Sequence, residues 1–358
     1  MHAESLLPRD TPVRLIDQDG SSHPDDQYPT PPVDRLVEGY RHLVVGRRIN
    51  DQANALVRQG KLAVYPSSYG QEACEVAAAM VLGHDDWLFP TYRDTVAVIT
   101  RGVDPFDAFV LLRGDWHSGY DPREHRIAPQ ATPLATQLLH AVGFAQAARM
   151  RGEDTVVVAL CGDGATSEGD FHEALNFAAV FHLPVVFLVQ NNGYAISVPL
   201  SRQTAAPSIA HKGIGYGMPG RRVDGNDLAA LLSVLGEAVD GARAGGGPTL
   251  VEAVTYRMQS HTNADDATRY RTDDEVKPWL ARDPLTRLRT WLGDQGALSD
   301  GDDAEFHAQA ERVATDLRAA VNAEAVPHPE DLFAFVYATP TPQLREQAAM
   351  LAAEEAAR

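Results

Sequence analysis

The chain has 358 residues, 44% of them apolar, which is enough for a core in one large or two ordinary domains. With 31 basic against 49 acidic side chains, the net charge is −18, which argues against nucleic acid and anionic membrane as partners. No apolar run approaches the ~18 residues of a membrane span, and MHAESLLPRD lacks a basic region followed by an apolar one. Two cysteines, Cys74 and Cys161, make no disulfide framework, so a reduced, cytoplasmic setting is expected.

Residues 1–33 are rich in Pro, Asp and Ser and read as an arm without its own core, able to wrap a partner. Asp34 is expected to cap a long helix over 34–59 that Gly60 ends, with Leu36, Tyr40, Leu43, Val44, Ile49 and Leu56 on its packed face. The loop YPSSYGQEACE, 65–75, enters a helix of small residues from Ala73 to Met80, suited to close helix packing. Tyr92-Arg93 follows Pro90-Thr91, a pair that is often merely structural. Residues 113–130 form a polar loop of a length that is usually functional or mobile, although its histidines and arginines read equally well as solvated surface. ATPLATQ, 131–137, then opens an alanine-rich helix reaching Met150.

The most informative stretch is 155–197. Thr155 to Cys161 is short and β-branched, a buried strand that stops at Gly162-Asp163-Gly164. Thr166-Ser167-Glu168 can cap and open a helix, in which Phe171, Leu175, Ala178, Ala179 and His182 recur at helical spacing before Pro184. A second buried strand, Val185 to Gln190, runs into Asn191-Asn192-Gly193-Tyr194. In open parallel sheets ligands bind outside the carboxyl ends of the strands. Asp163 and Asn192 sit at two such ends and offer oxygen ligands. Glycines beside Asp163 let the backbone approach a ligand closely. The following helix would turn its free amides toward a diphosphate. Carboxylate, amide and phosphate oxygens together describe Mg²⁺. Taken singly, Gly162-Asp163-Gly164 is also a plain strand-to-helix turn and Asn191-Asn192-Gly193 a hairpin turn.

The glycines of GIGYGMPG, 213–220, follow no strand, so they are no nucleotide fingerprint and are expected to pack flexibly at a helix start. Val223-Asp224 ends a short strand, and 225–227 caps a helix to about Arg243. Pro248 to Thr255 is a third buried strand. Past its end lies His261, on the same side as Asp163 and Asn192, although a lone loop histidine is commonly solvated surface. Asp265 and Asp266 are expected to tie this loop to Arg269 and Arg271. Residues 283–358 look helical and polar, with Leu285, Leu288, Trp291 and Leu292 on one apolar face. The fold class is therefore α/β, a mostly parallel central sheet flanked by helices.

Gly162-Asp163-Gly164, a spacer over 165–190, and Asn191-Asn192 match the thiamin diphosphate signature. The fuller wording GDGATSEGDFHEALNFAAVF and NNGYAIS resembles the alpha subunit of the decarboxylating component of the 2-oxo acid dehydrogenases, pyruvate and branched-chain types. The similarity runs over roughly 35–345 and implies a thiamin diphosphate-binding fold over 34–282, an arm over 1–33 and a helical extension over 283–358. It implies Mg²⁺ on Asp163, Asn192 and the Tyr194 carbonyl, and the cofactor on Tyr92, Arg93, Thr132, Leu134, Gly164, Ala165, Thr166 and His261. His261 would be the catalytic histidine, with a pKa near neutral and able to donate a proton or hydrogen bond. ATPLATQ is similar to a family segment that holds potassium, which would here involve Ala131, Pro133, Thr136 and Gln137; Ala131 replaces a serine there, so no hydroxyl contact survives at 131. Thr262 stands where mammalian relatives carry a regulated serine.

The resemblance also implies partners. A separate beta subunit would supply the glutamate that acts on the cofactor's aminopyrimidine, in an assembly of two alpha and two beta chains, and a lipoyl-bearing acyltransferase would receive the acyl group. The loop RGDWHSGYD lacks the GRGGSMH wording frequent in pyruvate-type relatives, which favours branched-chain 2-oxo acids of the 3-methyl-2-oxobutanoate kind over pyruvate, with acetoin third. Readings from other classes are an inactive thiamin-fold assembly protein and a dinucleotide-binding oxidoreductase.

Overall fold

Short apolar runs become the strands of one parallel sheet, as a computed structural model of the chain over residues 6–115, 118–323, 329–334 and 336–357 shows. In chain order the elements are α1 (Val33–Arg58), α2 (Glu72–Met80), β1 (Trp87–Phe89), α3 (Thr95–Thr100), α4 (Pro105–Arg113), α5 (Pro122–His125), α6 (Thr136–Arg151), β2 (Val157–Gly162), α7 (Gly169–Val180) and β3 (Val185–Asn191). There follow the small antiparallel pair β4 (Tyr194–Ala195) and β5 (Val198–Pro199), then β6 (Gly220–Asp224), α8 (Leu228–Gly241), β7 (Thr249–Val254), α9 (Asp273–Leu280), α10 (Pro284–Asp294) and α11 (Asp300–Asn322). The chain divides into two units, Met1–Val321 and Asn322–Arg358. The second holds α12 (Asp331–Ala334) and α13 (Pro342–Ala356), the latter capped by Thr341, whose hydroxyl accepts from the Leu344 amide.

Among the described residues the sheet order is β1-β2-β3-β7-β6, every pairing parallel. Both of its faces are covered, which is why its strands are continuous apolar runs rather than alternating ones. Val158, Leu160, Val186, Leu188 and Val251 face a core with Leu36 and Leu43 of α1 and Leu231 and Leu235 of α8. Val157, Ala159, Cys161, Phe187 and Val189 face a second core with Leu138 and Ala141 of α6 and Phe171 and Leu175 of α7. The third layer of the sandwich thus comes from the helices immediately before and after β2, and α7 fixes the spacing between the ends of β2 and β3. The apolar face expected around Leu288, Trp291 and Leu292 is buried in the first of these cores, so α10 packs as an integral part of it.

Several local expectations are corrected. Asp34 does not cap α1: the N-cap is Pro32, and Asp34 lies in the first turn, where its charge still suits the helix dipole. The arm folds onto its own chain. Val13 pairs in parallel with Val223 at the sheet edge, and Val13, Leu15, Ile16 and Tyr28 are buried in the first core. Asp227 anchors it, its Oδ2 accepting from the amides of Leu15 (2.7 Å) and Ile16 (2.8 Å) while Oδ1 caps α8 through Ala230. The polar stretch 113–130 contains α5, capped by Asp121; Trp116 and His117 lie outside the described residues. Gly213 and Gly215 sit inside a 3₁₀ helix, Ile209–Tyr216, and Gly217 ends it with φ +77°, a left-handed stop rather than a helix start. Thr166 and Ser167 do not open α7 either; they belong to a 3₁₀ turn, Asp163–Ser167, and α7 starts after Glu168.

Candidate active site

The register of the sheet decides where the polar residues meet. Gly162 at the end of β2 pairs with Gln190, and Asn191 at the end of β3 pairs with Val254 at the end of β7. Three chain segments therefore leave one rim side by side, carrying Asp163, Asn192 and, after a loop, His261. A cavity of about 210 Å³ opens there. Asp163, Asn192, Tyr194, Gly164 and Ala165 line it, as do Tyr92, Arg93 and His261. Ala131, Pro133, Leu134 and Gln137 complete the wall on the α6 side.

Asp163 is 1% exposed. Its Oδ1 accepts from the Asn192 amide (3.3 Å) and its Oδ2 from Gln203 Nε2 (2.7 Å). Burial raises its pKa, with the Gln203 hydrogen bond opposing. No Lys or Arg among the described residues forms an ion pair with it, so it is a buried carboxyl group lacking a cation. Asn192 Oδ1 accepts from the Tyr194 amide (3.3 Å), and the Tyr194 carbonyl accepts from Arg257 (3.2 Å). Gln203 Oε1 is buried without a partner. A carboxylate, an amide oxygen and a carbonyl on one wall, with an orphaned acceptor beside them, form the oxygen set that hard divalent cations take. Gly164 is required for this closeness: a Cβ there would stand 2.7 Å from the Ala195 Cβ, so any side chain would push the Asp163 turn off the Tyr194–Ala195 strand.

The opposite wall is basic. Arg93, 5% exposed, donates from one terminal nitrogen to the Ser67 carbonyl (2.8 Å), and the other lies 3.1 Å from His261 Nδ1 and 3.2 Å from the His261 carbonyl. A guanidinium has no acceptor. Nδ1 must therefore accept, which leaves the ring proton on Nε2. Burial, aided by the charges of Arg93 and Arg257, pushes the His261 pKa down to about 4. The expectation of a near-neutral pKa is thus overturned: at physiological pH the ring is neutral, with one fixed tautomer and Nε2–H as its donor. The His261 amide donates to Asp265 Oδ2 (2.8 Å), which also receives the Tyr270 hydroxyl. Asp266 caps the short turn at Ala267–Arg269 by accepting from Thr268. Arg271 instead donates to the carbonyls of Arg257, Met258 and Gln259. The acid–arginine ties expected in this loop do not form, because each acid finds a nearer backbone amide or hydroxyl.

Three expected residues lie off the cavity wall. Thr166 is buried, its hydroxyl donating to the Asp163 carbonyl (2.8 Å) and receiving Lys212 Nζ (2.9 Å), so it holds the turn rather than facing outward. The Thr136 hydroxyl donates to Asp170 (3.1 Å), and Thr132 is exposed beside the lining residues. Gln137 donates from Nε2 to the Leu160 carbonyl (2.7 Å), which ties the start of α6 to β2. Sequence reasoning missed Gln71, Gln190 and Arg257, all of which line the cavity, and Gln203, which binds Asp163. A glutamine closing the apolar run VVFLVQ is a signal that could have been used, since a buried parallel strand has no reason to carry one.

Comparison with known proteins follows the same lines. Residues 40–330 match the family described as dehydrogenase E1 component. The chain is 51% identical over 344 residues, 96% of its length and 94% of the relative's, to a 3-methyl-2-oxobutanoate dehydrogenase subunit alpha of Mycobacterium tuberculosis. It is 39% identical over 311 residues, 86% of its length and 83% of the relative's, to a pyruvate dehydrogenase E1 component subunit alpha of Staphylococcus aureus.

Proposed function

The chain belongs to the dehydrogenase E1 component family, and we infer from this that it is the alpha subunit of a branched-chain 2-oxo acid dehydrogenase component. The observation that carries the reading is the 51% identity to a 3-methyl-2-oxobutanoate dehydrogenase subunit alpha along almost the whole chain. The pyruvate-type reading has less support, at 39% identity. Thiamin diphosphate, when bound, would supply the electron sink that decarboxylation of a 2-oxo acid requires.

What this chain does is hold and orient. Asp163, Asn192 Oδ1 and the Tyr194 carbonyl would take Mg²⁺, whose demand for near-octahedral oxygen coordination suits fixed ligands on a sheet rim. Arg93 and the amides of Gly164 and Ala165 would receive the diphosphate, and Tyr92 and Leu134 would line its path. Thr132 and Thr166 belong to the same cofactor set, Thr166 by fixing the turn from behind. A potassium ion at the turn before α6 would use carbonyls of Ala131 and Pro133 with Thr136 and Gln137. His261, neutral and donating from Nε2, would serve as the catalytic histidine by hydrogen bonding to the acyl group as it passes to a lipoyl arm.

The partners in this reading are a beta subunit, in an assembly of two alpha and two beta chains, and a lipoyl-bearing acyltransferase. A cytoplasmic setting belongs to the same reading and rests on Cys74 and Cys161, both buried and free. The test is co-expression with a beta subunit, followed by 2-oxo acid-dependent acylation of a lipoyl domain with 3-methyl-2-oxobutanoate and pyruvate in parallel. Turnover of the assembly that favours the branched substrate, with none from the alpha chain alone, is expected. Preference for pyruvate, or full turnover by the isolated chain, would overturn it.

A further inference from the structure

Along the inner wall of the cavity, three buried side chains connect Asn192 to the turn that carries Arg93. Asn192 Nδ2 donates to Gln71 Oε1 (2.8 Å), Gln71 Nε2 donates to Gln190 Oε1 (2.9 Å), and Gln190 Nε2 donates to Asp94 Oδ1 (2.6 Å). The other oxygen, Asp94 Oδ2, accepts from the Thr91 amide (2.6 Å). Asp94, Gln190 and Gln71 are 0%, 1% and 2% exposed, so each has little contact with bulk water although Gln71 and Gln190 border the cavity.

The chain of bonds has a direction. Burial raises the Asp94 pKa, but the hydrogen bonds from Thr91 and Gln190 oppose this and occupy both of its oxygens as acceptors. Gln190 thus presents its nitrogen to Asp94 and its oxygen to Gln71, and Gln71 presents its oxygen to Asn192. The far end agrees independently, because the Tyr194 amide can be met only by an oxygen, and it is Asn192 Oδ1 that accepts it. We propose that Asp94, Gln190 and Gln71 are positioning residues that form a one-way hydrogen-bond relay fixing the Asn192 amide with its oxygen toward the metal position. The relay rests on the assignment of Asn192 as a metal ligand under the proposed function. It also ties that ligand to the 91–94 turn, so the metal and diphosphate ends of the site are set by one network.

The polarity can be disrupted by one atom. In Asp94→Asn the Thr91 amide keeps the carboxamide oxygen, so the new NH₂ faces the Gln190 NH₂; the mismatch either breaks one link of the line or turns each amide over and sets Asn192 Nδ2 against the Tyr194 amide, and both outcomes release Asn192 from its fixed orientation. The double variant Asp94→Asn/Gln190→Glu restores the direction, since the new carboxylate accepts from both its neighbours. In the alpha–beta assembly, calorimetric titration of thiamin diphosphate across Mg²⁺ concentrations reads this without turnover. Asp94→Asn is expected to raise the Mg²⁺ needed for half-maximal binding at least about tenfold, and the double variant to return to within about threefold of the wild type. An unchanged requirement in Asp94→Asn, or no recovery in the double variant, overturns the relay. Neutron crystallography of the wild-type assembly gives a readout free of folding defects: deuterium on Gln190 Nε2 facing Asp94 is expected, and an oxygen there contradicts the relay. If the wild type shows no Mg²⁺-dependent binding at all, the cofactor reading itself fails, whereas normal wild-type binding with silent variants sinks the relay alone.

Discussion

Gly162 and Gly164 flank the same aspartate but differ in what a methyl group would meet, and this difference can be measured. Gly162 has φ −88° and ψ 169°, ordinary extended backbone for any residue, and a Cβ there has no protein atom within 4 Å, although the residue lines the cavity. Gly162→Ala should therefore leave stability within about 0.5 kcal/mol of the wild type, or raise it slightly by restricting the unfolded chain. Its methyl group, however, stands where a diphosphate would approach the strand end, and we expect thiamin diphosphate to bind about 10- to 100-fold more weakly, about 1.4–2.8 kcal/mol. Gly164→Ala is the opposite case. The new Cβ would lie 2.7 Å from Ala195 Cβ, about 1 Å inside the 3.5–4.0 Å of favourable carbon contact. Such overpacking costs about 1–3 kcal/mol, or about 2–4 °C of melting temperature per kcal/mol. The shift also moves Tyr194 relative to Asp163, so binding should weaken as well. Differential scanning calorimetry and cofactor titration of the alpha–beta assembly separate the two, with Gly215→Ala, whose Cβ meets nothing, as the silent control. Undiminished cofactor affinity in Gly162→Ala, or equal loss of stability in both variants, would refute the reasoning.

Other expectations concern His261, Arg93 and Asp227. Nuclear magnetic resonance of ring-labelled histidine should find His261 titrating at about 4. Because this lies below the ordinary ~6.5, the unfolded chain binds the proton first, and the group lowers stability only as pH falls from about 6.5 to 4. Arg93→Met should raise that pKa and release the tautomer, and an unchanged titration would argue against the contact at Nδ1. His261→Ala should bind cofactor nearly normally yet slow lipoyl acylation; loss of both in proportion would contradict the division of roles. Asp227→Ala leaves three buried amides without an acceptor and should cost about 2–5 kcal/mol, with early protease cleavage in the arm; an arm as protected as in the wild type would count against the anchor.

The rim was legible because its residues close apolar runs: Asp163 after VVALC, Asn192 after VVFLVQ and His261 after the strand ending at Val254. Strand order was less legible: β1, β2 and β3 lie side by side in chain order, but β7 inserts between β3 and β6, so the strand that leads to His261 neighbours β3 only through the fold. The 3₁₀ turn at Asp163–Ser167 was not legible, because Thr-Ser-Glu is as good a helix opening as α7 has, and the contacts that accompany the tighter turn, Lys212 on Thr166 and Ala195 against Gly164, come from distant segments. Likewise the arm looked coreless in isolation, since its anchor, Asp227, lies more than 200 residues away. The pKa of His261 was hidden for the same reason: its burial, and after that the charges of Arg93 and Arg257, arise only through the fold. Long-range partners, more than local propensity, separate what could be read from what could not.

The most direct test of the site is Mg²⁺-dependent thiamin diphosphate binding by the alpha–beta assembly, wild type against Asp163→Ala. Loss of one charge-assisted ligand contact is worth about 1.5–3 kcal/mol. The wild type is expected to bind tightly with Mg²⁺ and poorly in chelator, and Asp163→Ala to bind at least tenfold more weakly and to respond little to Mg²⁺. Equal binding with and without Mg²⁺ in the wild type, or an Asp163→Ala assembly that matches it, would contradict the assignment of this rim as the cofactor and metal site.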